Sequence, residues 1–248
     1  MFAGHAIGAA ARFHRLDDTH DLNHVVPTLG SAVVPVSGGR SNGHSDPFQF
    51  HVDAPRRRCL LQVDRVETLA EGRDRNGTIE TEVLAEVHGL RVVEKLHCDL
   101  VRMHMVATRT NGGGPVVSTS GNRIEGLRLA DIQVVVTLDE EPLAYAGTEE
   151  QFTAWHERAR KKVEPFGAYW RSTIVRDIQL VGDGPERANM TVEGHSIRWK
   201  GFGRIILGEV HVKGHERRLT LMRLEMGSDA GGSGSAGDGQ TNGGVGTG

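Results

Sequence analysis

Between residues 78 and 93, "TIETEVLAEVHGLRVV", apolar and polar positions alternate. Ile79, Thr81, Val83, Ala85 and Val87 fall on one side, and Glu80, Glu82, Glu86 and His88 on the other. A period of two over that length predicts a β-strand with one wet face. Residues 96–108 place Val101, Met103, Met105 and Ala107 opposite Cys98, Leu100, Arg102, His104 and Val106, so both faces are substantially apolar and the strand is expected deep in the core. After the break at "NGGGP" (111–115), strand patterns recur at 116–119, 124–129, 132–138, 173–181, 190–199, 204–212 and 217–225. "PFQFHV" reads as a further strand, and "SGGRSNG" before it as a loop whose glycines supply turn conformations.

One stretch changes period. "TEEQFTAWHERARKKVEPF" places Phe152, Trp155, Ala159, Val163 and Phe166 at helical spacing and predicts an amphipathic helix over about 149–163. Thr148 and Gln151 form a capping-box signature. Glu149 and Glu150 suit the positive end of the helix dipole, while Arg160, Lys161 and Lys162 suit its negative end.

Three segments share a strand, glycine, strand pattern: "EVHGLRVVEKLHCDLVRMHM", "RIEGLRLADIQVVVTL" and, more loosely, "TVEGHSIRWKGFGRIILGEVHV". Their glycines, Gly89, Gly126 and Gly194, are expected either to kink the strand or to admit a close neighbour. Repeated strand units with one inserted helix define an all-β chain, either a β-sandwich or a short β-solenoid. The predicted domain is 1–226. The remainder, 227–248, offers only two alanines and a valine as apolar side chains, and predicts a disordered Gly/Ser-rich tail.

Charge narrows the partners. A formal net charge of −3 gives no field that would gather nucleic acid, and the clusters at 56–58 and 158–162 are short. No apolar run reaches the ~18 residues of a membrane span. The N-terminus lacks a basic region ahead of its small apolar residues and makes a poor signal peptide. Cys59 and Cys98 lack metal or redox spacing; they read either as one disulfide or as two buried thiols.

The arrangement resembles a family of bacterial surface proteins called choice-of-anchor P. The similarity lies in the opening "GHAIGAAARF", in Pro35, Ser37, Gly38 and Gly39, in Gly89-Leu90 and Gly126-Leu127, and in the closing "HSIRWKGFGRIILGEVHV". The resemblance implies an exported, β-rich surface domain, extracellular or at the cell surface, with no catalytic residues to carry over. It departs from the family in lacking a convincing leader, a sorting motif or an anchor helix after the Gly-rich tail.

Thirteen histidines prompt a search for metal ligands. The best constellation is "DDTHDLNH": on a helical turn, Asp17, His20, Asp21 and His24 would line one face and converge on a divalent ion. The competing reading is a polar loop with turn-capping aspartates, which the weak helix propensity of Asp and Asn23 favours. His97 with Asp99 and His51 with Asp53 are same-face pairs, and His211 and His215 are four apart, too far along one strand for one ion. Asp139, Glu140 and Glu141 read as an acidic turn. No GxSxG elbow occurs around Ser196 or Ser120, no GxxxxGK[ST] loop follows "SGGRSNG", and HExxH is absent. The sequence therefore favours a non-catalytic scaffold acting in surface adhesion, coating or assembly, with a protein or cell-surface polymer as partner. The alternative is a metal-binding module or metal-dependent enzyme built on the His/Asp-rich N-terminal segment.

Overall fold

The computed structural model describes residues 1–15, 21–53, 57–110, 115–139, 149–158, 164–227 and 231–242. The chain opens with β1 (Gly4–Arg15), β2 (Asp21–Val33), β3 (Gly39–Ser45), β4 (Phe48–Val52), β5 (Arg58–Val63), β6 (Arg65–Arg75), β7 (Thr78–Val92) and β8 (Leu96–Thr110). Four short strands follow: β9 (Val116–Ser118), β10 (Arg123–Glu125), β11 (Arg128–Leu129) and β12 (Ile132–Leu138). After helix α1 (Glu149–Arg158) come β13 (Glu164–Phe166), β14 (Tyr169–Thr173), β15 (Val175–Val181), β16 (Met190–Glu193) and β17 (Ser196–Trp199). The last strands are β18 (Gly203–Lys213), β19 (Glu216–Met226) and β20 (Gly231–Thr241).

These strands form two antiparallel sheets packed as a sandwich, which settles the choice against a solenoid. Sheet A runs β13-β14-β18-β19-β20-β1-β2, with β17 also on β18 and β16 on β17. Sheet B runs β15-β12-β11-β8-β7-β5-β4; β9 and β10 also pair with β8, and β6 carries β3 on the free stretch of β7. The chain passes from sheet A to sheet B at Ile174, a fully buried residue between β14 and β15 whose N–H donates to Gly208 O (2.9 Å).

The core is filled unequally from its two sides. Sheet B sends in Val83, Ala85, Val87, Val101, Met103 and Met105, all fully buried, as the alternation predicted. Sheet A answers in its middle with glycine and alanine. A Cβ at Gly8 would collide with Val66, and one at Gly239 with Met103, so the small residues of β1 and β20 are the sockets for sheet B's side chains.

A transverse row creases each sheet, with a left-handed glycine on every second strand. Pairing of Arg65 with His88, of Leu90 with Cys98 and of Glu125 with Leu100 lines up Asp64, Gly89, Asp99 and Gly126 across sheet B. Gly89 (φ +62°) and Gly126 (φ +63°) adopt a conformation L side chains rarely reach, and Asp64 and Asp99 lie where their Cβ atoms would be. Each crease inverts the side-chain phase: Val87 faces inward before Gly89, Leu90 and Val92 after it. A second row, Gly208, Leu221, Gly237, Gly8 and Gly30, follows from the registers of β18, β19, β20, β1 and β2.

Several expectations need correcting. "SGGRSNG" supplies most of β3 rather than a loop; Gly43 packs against the Ser31 backbone of β2, where no side chain would fit. β2, not expected from the pattern, tolerates Pro27 because it is the edge of sheet A. Gly194 does not repeat the device of Gly89 and Gly126: it sits in the β16–β17 turn with open space around it. The helix is present over Glu149–Arg158 with Phe152 buried, while Thr148 and 159–163 lie outside the described residues. Most consequentially, 231–241 of the expected disordered tail is β20, hydrogen-bonded on both edges between β19 and β1. Hydrogen bonds from two neighbours and the burial of those neighbours' side chains hold a segment with almost no side chains of its own.

Candidate functional site

The two described members of the proposed metal constellation do not lie on a helical turn. Asp21 and His24 are part of β2, so helical spacing fails there; Asp17 and His20 lie outside the described residues. The His24 ring is stacked on Phe50, with centroids 4.1 Å apart and planes 8° apart, and serves as a packing surface. His97 Nε2 lies 3.4 Å from Asp99 Oδ1 as a simple surface pair. His211 is on β18 and His215 in the turn after it, as Gly214 suggested. Among the described residues no three His, Cys, Asp or Glu side chains converge as metal ligands.

The side chains that do converge lie on the outer face of sheet A. In "IILGEVHV", Ile205 and Leu207 point inward before the crease at Gly208, and Val210 and Val212 after it, leaving Glu209 and His211 outward. The partner strand, "LTLMRLEM", turns out Thr220 and Arg223 in the same way. Glu209, with 2% of its side chain exposed, accepts two bonds from Arg223, Nε to Oε2 at 2.8 Å and Nη2 to Oε1 at 3.0 Å. Arg171 Nη1 stands 3.6 Å and His211 Nε2 3.9 Å from Oε1. Arg171 also bonds Glu164, and Arg223 bonds Glu225. A few residues away Asp238, 4% exposed, accepts from Arg218 Nε (3.0 Å) and Nη2 (2.6 Å) and from Thr220 Oγ1 (3.1 Å).

Aromatic rings close one end. Phe166 stacks on His211 at 5.1 Å and Tyr169 meets it edge-on at 6.1 Å; the Arg171 guanidinium lies 4.9 Å from the Phe166 centroid. The Tyr169 hydroxyl donates to Glu216 (2.8 Å), and that bond raises its pKa. Burial pushes Glu209 up, but the Arg223 bond and charge, with His211 and Arg171, more than offset it and leave the carboxyl below its ordinary value. Burial holds the His211 and His195 imidazoles below theirs. An ionised carboxylate saturated by guanidinium donors makes a poor general base. What this cluster does is lace strands together: β14, β18 and β19 through Glu209, and β19 and β20 through Asp238. The signal for it in the sequence is a single acidic residue inside an otherwise apolar strand.

The thiols are structural. Cys59 and Cys98 are free, on β5 and β8 with β7 between them, which sets the strands about 10 Å apart. Burial pushes the Cys98 thiol up to about 12 and raises that of Cys59.

Two antiparallel sheets, glycine-creased and laced by cross-strand ion pairs, define an all-β sandwich domain. A family model described as a domain of unknown function, DUF8256, matches residues 2–163, more than half of the 248-residue chain, and the chain belongs to that family. The strands from β13 onward lie beyond the matched residues, although β1 and β2 share sheet A with them. No curated protein and no solved structure matches the chain.

Proposed function

We propose that this chain is a non-catalytic, exported β scaffold that acts in adhesion, coating or assembly at a cell surface, as choice-of-anchor P proteins are expected to. The observation that supports this reading best is that the site's buried carboxylates are taken up by arginines of neighbouring strands. Glu209 with Arg223 and Asp238 with Arg218 hold strands together instead of facing a substrate. The outer face of sheet A also carries a shallow groove of about 480 Å³ over β2, β1, β20 and β19, floored by Ala10, Ser233 and Ser235 and rimmed by Arg12, Arg218 and Arg223. A flat floor with arginine rims suits an extended partner, a protein strand or a surface polymer. Antibody labelling of intact cells of the source organism is expected to stain them without permeabilisation. Staining that appears only after lysis would overturn the reading.

A further inference from the structure

We propose that β20 is an exchangeable strand: the slot between β19 and β1 accepts β20 from a second copy as well as its own, joining copies through sheet A. The inference rests on the assembly reading above and names the partner, another copy of this chain.

The slot is defined on both sides. β20 pairs with β19 from Arg217–Thr241 to Met226–Gly232, and with β1 from Gly4–Thr241 to Arg15–Gly231. Without it no strand pairing among the described residues joins β1 and β2 to the rest of sheet A. Two rows of unpaired backbone groups would then face each other across roughly 10 Å, the width of one missing strand. The occupant must be small on its inner side, because Gly239 lies under Met103 and a Cβ at Gly237 would sit 3.0 Å from Val101 Cγ1. It must also carry one carboxylate, where Arg218 and Thr220 converge on Asp238.

A glycine-rich strand has little register preference of its own. Asp238 supplies it, since a slip of one residue points the carboxylate inward and a slip of two separates it from Arg218. Among the described segments β20 alone combines these features, and a second copy presents the same strand in the same sense. Only residues 227–230 connect β19 to β20, and short hinge connections are where identical elements exchange between copies. The hydrogen bonds that β20 makes within one copy are the same ones it makes between two.

Glu225 and Ser233 are directly paired and exposed, so they report where β20 sits. Full-length chains carrying Glu225→Cys or Ser233→Cys are refolded together from urea and oxidised, and the linked peptides are identified by mass spectrometry. A 225–233 link between chains, rising in yield with total protein concentration, is expected. A chain with both substitutions, refolded dilute, links to itself. Adding Asp238→Ala to the Ser233→Cys chain should cut the link between chains about tenfold, as loss of charged hydrogen bonds predicts. An undiminished yield would overturn Asp238 as the recognition residue. If the mixed chains stay unlinked at every concentration while the doubly substituted chain links internally, exchange is overturned. The surface reading is decided separately by the labelling of intact cells.

Discussion

Glu209 on sheet A and Glu82 on sheet B are both carboxylates paired with arginine on the outward face of a central strand, yet 2% of one side chain is exposed and 23% of the other. On sheet B the charges form a wet ladder: Arg73 reaches Glu71, Glu80 and Glu82, His104 Nε2 lies 3.0 Å from Glu82, and Arg102 lies 3.0 Å from Glu86. Several partners share each role there, and water can replace any one of them. On sheet A the carboxylates Glu209 and Asp238 are shielded while their arginines stay partly open, and the strand beside them, β20, is nearly bare. The same pairing chemistry thus leaves Glu82 wet on one sheet and takes Glu209 and Asp238 out of water on the other.

The two sheets should differ most in their response to loss of β20. Composition alone predicts that removing residues 229–248 has almost no effect. With β20 in the middle of sheet A, ending the chain at Gly227 should abolish the cooperative unfolding transition followed by circular dichroism. A truncated chain that keeps the parent melting temperature would show that sheet A does not need its central strand. Glu209→Ala comes next: it removes a shielded carboxylate that joins three strands, leaves Arg171 and Arg223 only Glu164 and Glu225 at the margin, and is expected to cost about 2 kcal/mol, read as a lower urea midpoint at unchanged slope.

In sheet B, Gly126→Val should cost about 2 kcal/mol despite the β propensity of valine, because φ is +63° and Asp99 occupies the Cβ position. An equal or higher midpoint would show that the crease relaxes freely. Glu82→Gln is expected to change stability by less than about 1 kcal/mol, since the pair is open to solvent and its arginine is also held by Glu71 and Glu80. A loss as large as that of Glu209→Ala would erase the contrast between the faces.

The smallest expected effect is that of mild acid. His211 and His195 have folded-state pKa values below the ordinary one, so the unfolded chain takes up protons first. Their contribution to stability is fully present above about pH 6.5 and is lost as pH falls below it, towards the depressed folded values. Glu209, also depressed, acts only lower, in the carboxylate range. His211→Gln should flatten the stability profile just below pH 6.5; an unchanged slope would locate the acid sensitivity elsewhere.

The legible parts of this fold are those where side chains alternate between two environments. β7, β8, β12, β18 and β19 read directly from Val83, Val101, Val134, Val210 and Leu219. β3 and β20 were illegible because their role is to be small: propensity counts what a side chain adds, and at Gly43 and Gly239 the neighbours need space. Both faces of β8 are apolar in sequence because its phase inverts opposite Gly89, with Cys98 buried on one side of that crease and Val101 on the other. The site was hidden for a different reason. Glu209, Arg223, Arg218 and Asp238 are scattered singly, and only the register of β18, β19 and β20 makes them neighbours. Histidine counting led instead to the N-terminal segment, where His24 serves Phe50.

The pairing of β1 with β20 joins Ile7 to Asp238. That ladder closes a loop of nearly the whole chain, against the tight hairpins of β6–β7 and β7–β8, and loop-closure entropy makes such contacts slow to form. Sheet B can assemble from local hairpins while sheet A waits for its first and last strands to meet across it. In refolding experiments, hydrogen-exchange protection is expected to reach the amides of β6–β8 well before those of β1 and β20. During that interval the molecule presents the open edges of β1 and β19, which makes protein concentration during folding, as well as stability afterwards, a determinant of what it becomes.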